Sequence, residues 1–336
     1  DMVNDPLMGI IADRTKTRFG KFRPYILWMA LPYSILAVLT FSTPDFGETG
    51  KILYAAITYF LLMTVYTAIN LPYSSLGAVM TSDSYERAGL NSYRFVFAFI
   101  GQLIVSGTAL SLATYFGKGD QAKGYQLTLI LFAVISFILF MITFRTTKER
   151  VHPPKSQRNS VKEDFKNLWK NRPWVILFFV GIISFIMFAM QNLSVAYYFK
   201  YYIGEESGVQ LFNVIGSIAL IVVIPFSKPL AKRFGKRNVF LASSILSGIF
   251  FVLLYLPGPE NLKWIYTFNI LAKMAYAPAV PLIWTMLADT ADYSEWKTGR
   301  RSTGLTFSAA TFAQKAGWGI GGALAGWLLA IFQFEA

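Results

Sequence analysis

The chain has 336 residues, no cysteine and one histidine, His152. Without cysteine there is no disulfide framework and no thiolate metal site. The single histidine has no second histidine to join at a zinc site, and its setting in a charged stretch does not read as a catalytic triad. Charge is also scarce: 15% of residues, against about 25% in soluble domains. Acid is scarcer than base, 18 residues against 31, for a net charge of +13. A basic balance could suit nucleic acid, but the polar surface such a partner needs is missing, so no nucleic acid is expected. No nucleophile–base pair stands out, so the chain does not read as an enzyme.

What is present is apolar: 54% hydrophobic and 17% aromatic residues, with mean hydropathy +0.46. About 20 apolar residues cross a bilayer as a helix. On that basis the sequence predicts a short segment over 1–12. Nine longer ones follow at 24–44, 52–81, 92–117, 123–146, 173–199, 209–231, 239–257, 264–288 and 303–334. The fold class is therefore all-α and polytopic, since helices satisfy their own backbone groups in lipid. The loops alternate in charge. Arg14 to Arg23, Arg145 to Arg172, Lys228 to Arg237 and the 289–302 loop carry the basic residues, and the loops between them carry few. The positive-inside rule places the basic loops in the cytoplasm, in a multi-pass protein of the inner (plasma) membrane whose surroundings are the lipid bilayer.

Arg18-Phe19-Gly20-Lys21 returns a little over two hundred residues later as Arg233-Phe234-Gly235-Lys236. Pro72 precedes Asp83, and Pro281 precedes Asp292, by the same spacing. Two such matches indicate two parallel halves. The expected division is an N-terminal bundle over 1–146, a middle loop over 147–172 and a C-terminal bundle over 173–336. In a six-plus-six plan, ten helices would lack the first and last, and the 336 residues alone would not be expected to transport. In the middle loop, Ser160-x-x-Glu163 has the form of a capping box. Val161, Phe165, Leu168 and Trp169 follow at helical spacing, which predicts an amphipathic helix on the inner membrane surface.

Charges inside an apolar helix are costly and usually functional. Asp1 and Asp5 lie one helical turn apart with Asn4 beside them. Such hard oxygen ligands suit a cation, and two carboxylates could equally share a proton. Tyr66, Thr67, Asn70 and Ser74 fall on one side of their helix, as interhelical glue or a cavity lining. Arg94, Lys273 and Lys315 are intramembrane cations, and Lys273 with Arg94 could bind a carboxylate. Gly317, Gly321, Gly322 and Gly326 read as a close-packing face.

With these motifs the chain resembles the glycoside–pentoside–hexuronide cation symporters. Asp1-Met-Val-Asn4-Asp5-Pro6 with Arg18-Phe-Gly20-Lys21-Phe-Arg23-Pro24, Tyr66-Thr67-x-x-Asn70-x-Pro72, and Ala288-Asp289-x-x-Asp292-Tyr293 occur in the family's order. The resemblance implies the major facilitator fold of six plus six helices and symport by alternating access. It implies a cation site, for Na+ as the metal ion or for H+, at Asp1, Asn4, Asp5 and Thr67. It implies a sugar site at Tyr66, Asn70, Ser74, Arg94 and Lys315, with Lys273 added from its position. It further implies a cytoplasmic charged network of Asp289, Asp292, Arg301 and Arg237. A galactoside-carrying member has an acidic residue where Asn70 stands and a tryptophan where Ser74 stands, so galactoside specificity does not carry over. The expected partners are a small-molecule sugar and the coupling cation, with no other cofactor. A lysolipid symporter of the same superfamily and a non-transporting sugar sensor are the alternatives.

Overall fold

The computed structural model describes residues 4–152, 154, 160–205 and 207–332. Among these, thirteen α-helices and no strand occur. They are α1 (Asn4–Arg14), α2 (Arg23–Thr40), α3 (Glu48–Val79), α4 (Ser84–Gly117), α5 (Gln121–Thr146), α6 (Val161–Lys170), α7 (Arg172–Tyr197), α8 (Gly208–Val223), α9 (Ser227–Phe234), α10 (Lys236–Leu253), α11 (Leu262–Tyr276), α12 (Ala279–Thr298) and α13 (Thr303–Ile331). A π-helical turn over Tyr198–Ile203 continues α7. Large apolar side chains cover the outside: Phe60, Leu110, Ile183 and Val252 are more than 60% exposed. A protein in water hides such a surface, whereas a bilayer accepts it.

Seven helical stretches are long and apolar enough to cross a membrane, and the stretch Leu262–Thr298 joins α11 and α12 as one of them. Among the ten expected segments, α1, α2 and α13 do not meet that measure. In α13 the reason is composition: Thr311, Gln314 and Lys315 interrupt the apolar run. Residues 289–298, expected as loop, are instead the last turns of α12. Asp289 and Asp292 therefore stand one turn apart on a helix, and their side chains share a face.

The residues form two units. One comprises Asp1–Ser82, Gln102–Phe165 and Lys297–Ser308. Its core is Met8, Ala12, Phe22, Tyr25, Ile26, Leu71, Leu76 and Val79. The other comprises Asp83–Gly101, Lys166–Trp296 and Ala309–Ala336, with Phe199, Phe212 and Ile265 in one cluster and Leu220, Ile224 and Ala277 in another.

The repeated Arg-Phe-Gly-Lys motif has a local cause. Gly20 has φ +106° and Gly235 φ +81°, where only glycine is comfortable. At Gly20 space adds a second constraint, because a Cβ would lie 2.4 Å from the Glu149 carboxyl carbon. That carboxylate accepts the backbone N–H groups of Lys21, Phe22 and Arg23 at 2.9, 2.7 and 2.9 Å. Glu149 thus supplies from a distant loop the cap that Phe22 cannot give α2. The middle helix α6 forms as expected, with Ser160 Oγ accepting from Glu163 N–H. Its first turn is held by Arg300, which pairs with Glu163 at 2.9 Å and Asp164 at 2.8 Å.

Candidate functional site

In the first unit the site forms where α1 meets α3. Asp5 is fully buried, and Thr67, 2% exposed, donates its hydroxyl to Asp5 Oδ1 at 3.2 Å. The fourfold spacing of apolar residues on α3 puts Thr67, Leu71 and Ser74 inward together. Ser74 is buried, Asn70 is half-buried and Tyr66 is more exposed, its ring 6.3 Å from Tyr33. Asn4 opens α1, half-buried, one residue before Asp5. Asp1 lies outside the described residues. Among those described, no three acidic or histidine side chains gather as a metal cluster. Among the described residues, the oxygens available to a cation here are the Asp5 carboxylate, the Thr67 hydroxyl and the Asn4 amide.

α1 also crosses the start of α13, at a point where neither helix has a side chain. A Cβ on Gly9 would lie 2.6 Å from Ser308 Oγ, and one on Gly304 would lie 2.6 Å from the Gly9 carbonyl. This approach brings Asp13 onto the open N-terminus of α13. Its two oxygens accept from Gly304 N–H at 2.9 Å and Leu305 N–H at 3.0 Å. Sequence reading missed Asp13, although Gly9-x-x-x-Asp13-Arg14 puts a small residue and an acid on one face at the end of the apolar segment.

Burial raises the Asp13 pKa to about 6, against the pull of Lys21 and the two N–H donors. Burial likewise lowers that of Lys21. A carboxyl with a raised native pKa binds protons more tightly folded than unfolded between about pH 4 and 6. Its contribution to stability therefore falls as pH rises through that window. Asp13→Asn cannot titrate, so the stability difference, wild type minus variant, is expected to shrink from pH 4 to pH 7. Thermal unfolding in detergent across this range measures it, and a difference that grows with pH would contradict the assignment.

The second unit holds the charged network. Arg87, 1% exposed, pairs through Nη2 with Asp289 at 3.3 Å and with Asp292. Lys236 Nζ pairs with Asp289 and donates to Ser84 Oγ, and Ser84 donates to Asp289 Oδ1. Asp83, the sequence counterpart of Asp292, instead caps α4 by accepting from Tyr85 and Glu86 N–H, and these bonds lower its pKa. The structure thus brings Asp289 and Asp292 together around Arg87 and Lys236. Arg237, the neighbour of Lys236, is exposed. Arg301 is buried in the first unit, its Nη2 3.5 Å from the Ala78 carbonyl. Lys236 carried a signal, as the last residue of the repeat, whereas Arg87 carried none.

Of the expected sugar-site cations, Arg94 lies 5.5 Å from the rings of Phe95 and Trp284. Lys273 lies 5.7 and 5.6 Å from those of Phe188 and Phe251. Lys315 is half-buried on α13. These three belong to the second unit, whereas Asn4, Asp5, Tyr66, Thr67, Asn70 and Ser74 belong to the first.

The MFS/sugar transport protein family matches residues 1–336. The inner membrane symporter YicJ of Escherichia coli (strain K12) is 34% identical over 337 residues, covering 100% of this chain and 73% of its own. The isoprimeverose transporter of Lactiplantibacillus pentosus is 34% identical over 342 residues, covering 100% and 71%. Among solved structures, the Escherichia coli fucose:proton symporter FucP superposes with TM-score 0.73 at 13% identity, over 98% of this chain and 82% of its own. At that identity the last shows the fold alone.

Proposed function

The chain belongs to the MFS/sugar transport protein family, and from that premise we propose that it carries a glycoside, pentoside or hexuronide by cation-coupled symport. The observation that carries this reading is the buried Asp5 carboxylate with the Thr67 hydroxyl against it. An acid so placed is costly unless a cation or proton neutralises it. Asn4, Asp5 and Thr67, with Asp1, would hold Na+, or Asp5 would take H+. Thr67 shares α3 with Tyr66, Asn70 and Ser74, which would meet the sugar hydroxyls. Arg94, Lys273 and Lys315, in the second unit, are the cations proposed to contact the sugar. A cation that fixes Thr67 would order the sugar-binding face of the same helix, and sugar would tighten the cation in return, a reciprocal coupling. The network of Asp289, Asp292, Arg87 and Lys236, with Arg301 and Arg237, would act at the cytoplasmic face during alternating access. The names of the two relatives support a sugar and an inner-membrane location; the alternation of basic loops supports a cytoplasmic side for them.

The test compares sugar uptake into proteoliposomes under a sodium gradient and under a proton gradient. One of the two is expected to drive accumulation. Asp5→Asn is expected to lower gradient-driven accumulation at least tenfold while leaving sugar exchange at equal concentrations. Accumulation undiminished in the variant would remove Asp5 from the coupling site. Sugar binding without uptake in the wild type would favour a sensor.

A further inference from the structure

Lys273 stands on α11, eleven residues from its first residue, Leu262. At 1.5 Å per residue the ammonium's helix position is roughly 16 Å in from that end, near the middle of a hydrocarbon core of about 30 Å. That is beyond the reach of a snorkelling lysine stem. The stem runs over Gly216 of α8, where a Cβ would lie 3.2 Å from Lys273 Cγ, so a glycine there makes room for it. The ammonium then sits between Phe188 of α7 and Phe251 of α10.

The chemistry of this seat is specific. The helices that meet the Lys273 side chain, α7, α8 and α10, and its own α11 contain no aspartate or glutamate. Among the described residues the ammonium has no hydrogen-bond acceptor and no ion-pair partner; its contacts are the two rings. Ring faces stabilise a cation by about 1–2 kcal/mol each when desolvated but leave its N–H donors essentially unused. A permanent structural cation in lipid normally takes a carboxylate or backbone carbonyl. Asn269, one turn before Lys273 and fully buried, donates Nδ2 to the Phe212 carbonyl at 2.8 Å and so ties α11 to α8, while its Oδ1 is buried without a donor among the described residues. Asn269 ties the helix through its amide, while the Lys273 ammonium meets ring faces that use none of its three donors.

We propose that Lys273 is the receptor for an oxyanion carried by the substrate, a carboxylate or a sulfonate, and that it sets a preference for acidic over neutral sugars. This rests on the sugar-transport reading above. An oxyanion would take the N–H donors in charge-assisted hydrogen bonds without displacing the rings, which only hold the cation in place. Arg94 shares none of these aromatic partners, so the two cations are independent handles.

The experiment is competition binding on the protein with matched probes, in both anomers. The probes are methyl glucoside, methyl galactoside and methyl xyloside, the methyl glucuronide and galacturonide, and methyl 6-deoxy-6-sulfoglucoside. The wild type is expected to bind at least one acidic probe tenfold or more tightly than its neutral counterpart. Lys273→Met, which keeps the apolar volume, is expected to abolish that ratio, lowering acidic-probe affinity about tenfold more than neutral-probe affinity. Lys273→Arg is expected to keep part of the ratio. A carboxylate source and a sulfonate source are told apart by which acidic probe shows the larger ratio. No acidic preference in the wild type overturns the proposal while leaving the transport reading intact. An equal loss for acidic and neutral probes in Lys273→Met, with Lys273→Arg also impaired for both, overturns it in favour of a packing role. Failure of the wild type to bind any probe overturns the sugar reading itself and this proposal with it.

Discussion

Replacing Arg87 by methionine is expected to lower stability by about 3–5 kcal/mol, the cost of breaking a buried ion pair by removing one member. The guanidinium is 1% exposed and faces two carboxylates, Asp289 and Asp292, with Lys236 as the second cation. Two positive and two negative charges balance there. Without Arg87 one cation faces two carboxylates at the end of a membrane helix, and methionine fills the volume without meeting either. Adding Asp292→Asn should recover part of the loss, because the remaining Lys236–Asp289 pair is then neutral overall. Arg87→Met, Asp292→Asn and the double variant form a cycle whose coupling energy isolates the pair. Thermal or denaturant unfolding in detergent measures each corner. A loss below 1 kcal/mol for Arg87→Met would mean that the cluster behaves as a solvated surface network.

The network also shows what the sequence could and could not reveal. The helices, the alternation of basic loops and the acid in α1 follow from hydropathy and spacing, because lipid leaves the backbone few options. The Arg-Phe-Gly-Lys repeat was legible because both glycines take a left-handed φ that few other residues tolerate. Arg87 was not legible: it lies just after the Asp83 turn, where a cation reads as one more basic loop residue. Its role depends on α12 running on to Thr298, so that Asp289 and Asp292 share a face. The polar run Asp289-Thr290-Ala291-Asp292-Tyr293-Ser294-Glu295 suggested a loop because polar residues rarely continue a membrane helix. They do so here beyond the apolar stretch, held by ion pairs to other helices. Asp13 was equally hidden, since its partners are backbone N–H groups far away in the chain. No side-chain pattern announces the N-terminus of α13 as an acid's partner.

Gly317→Ala is the other substitution expected to do much, about 1–3 kcal/mol, because it forces atoms into an occupied seam. A Cβ there would lie 2.6 Å from Phe185 Cβ and 2.7 Å from the Ile182 carbonyl, and one on Gly321 would lie 2.7 Å from the Ile186 carbonyl. Backbone cannot yield as a side-chain tip can. Gly322 and Gly326, read from spacing as part of the same packing face, meet nothing within 4 Å among the described residues, so of the four it is Gly317 and Gly321 that line the seam. The contacts Gly181 with Ala313, Phe185 with Gly317 and Ala189 with Gly321 advance by four residues on both helices, so α7 and α13 run parallel where Gly181–Ala189 meets Ala313–Gly321. Small residues are what let membrane helices approach this closely. Gly317→Ala and Gly321→Ala should therefore each lower the unfolding midpoint, whereas Gly322→Ala and Gly326→Ala should be neutral or slightly stabilising, since alanine favours helix by about 1 kcal/mol. Function should follow the same division. Lys315 lies two residues before Gly317, so pushing α13 away from α7 would displace its ammonium and, on the sugar-binding role proposed for Lys315, weaken sugar binding in the first pair alone. Equal behaviour of all four variants would mean that the seam does not place Lys315.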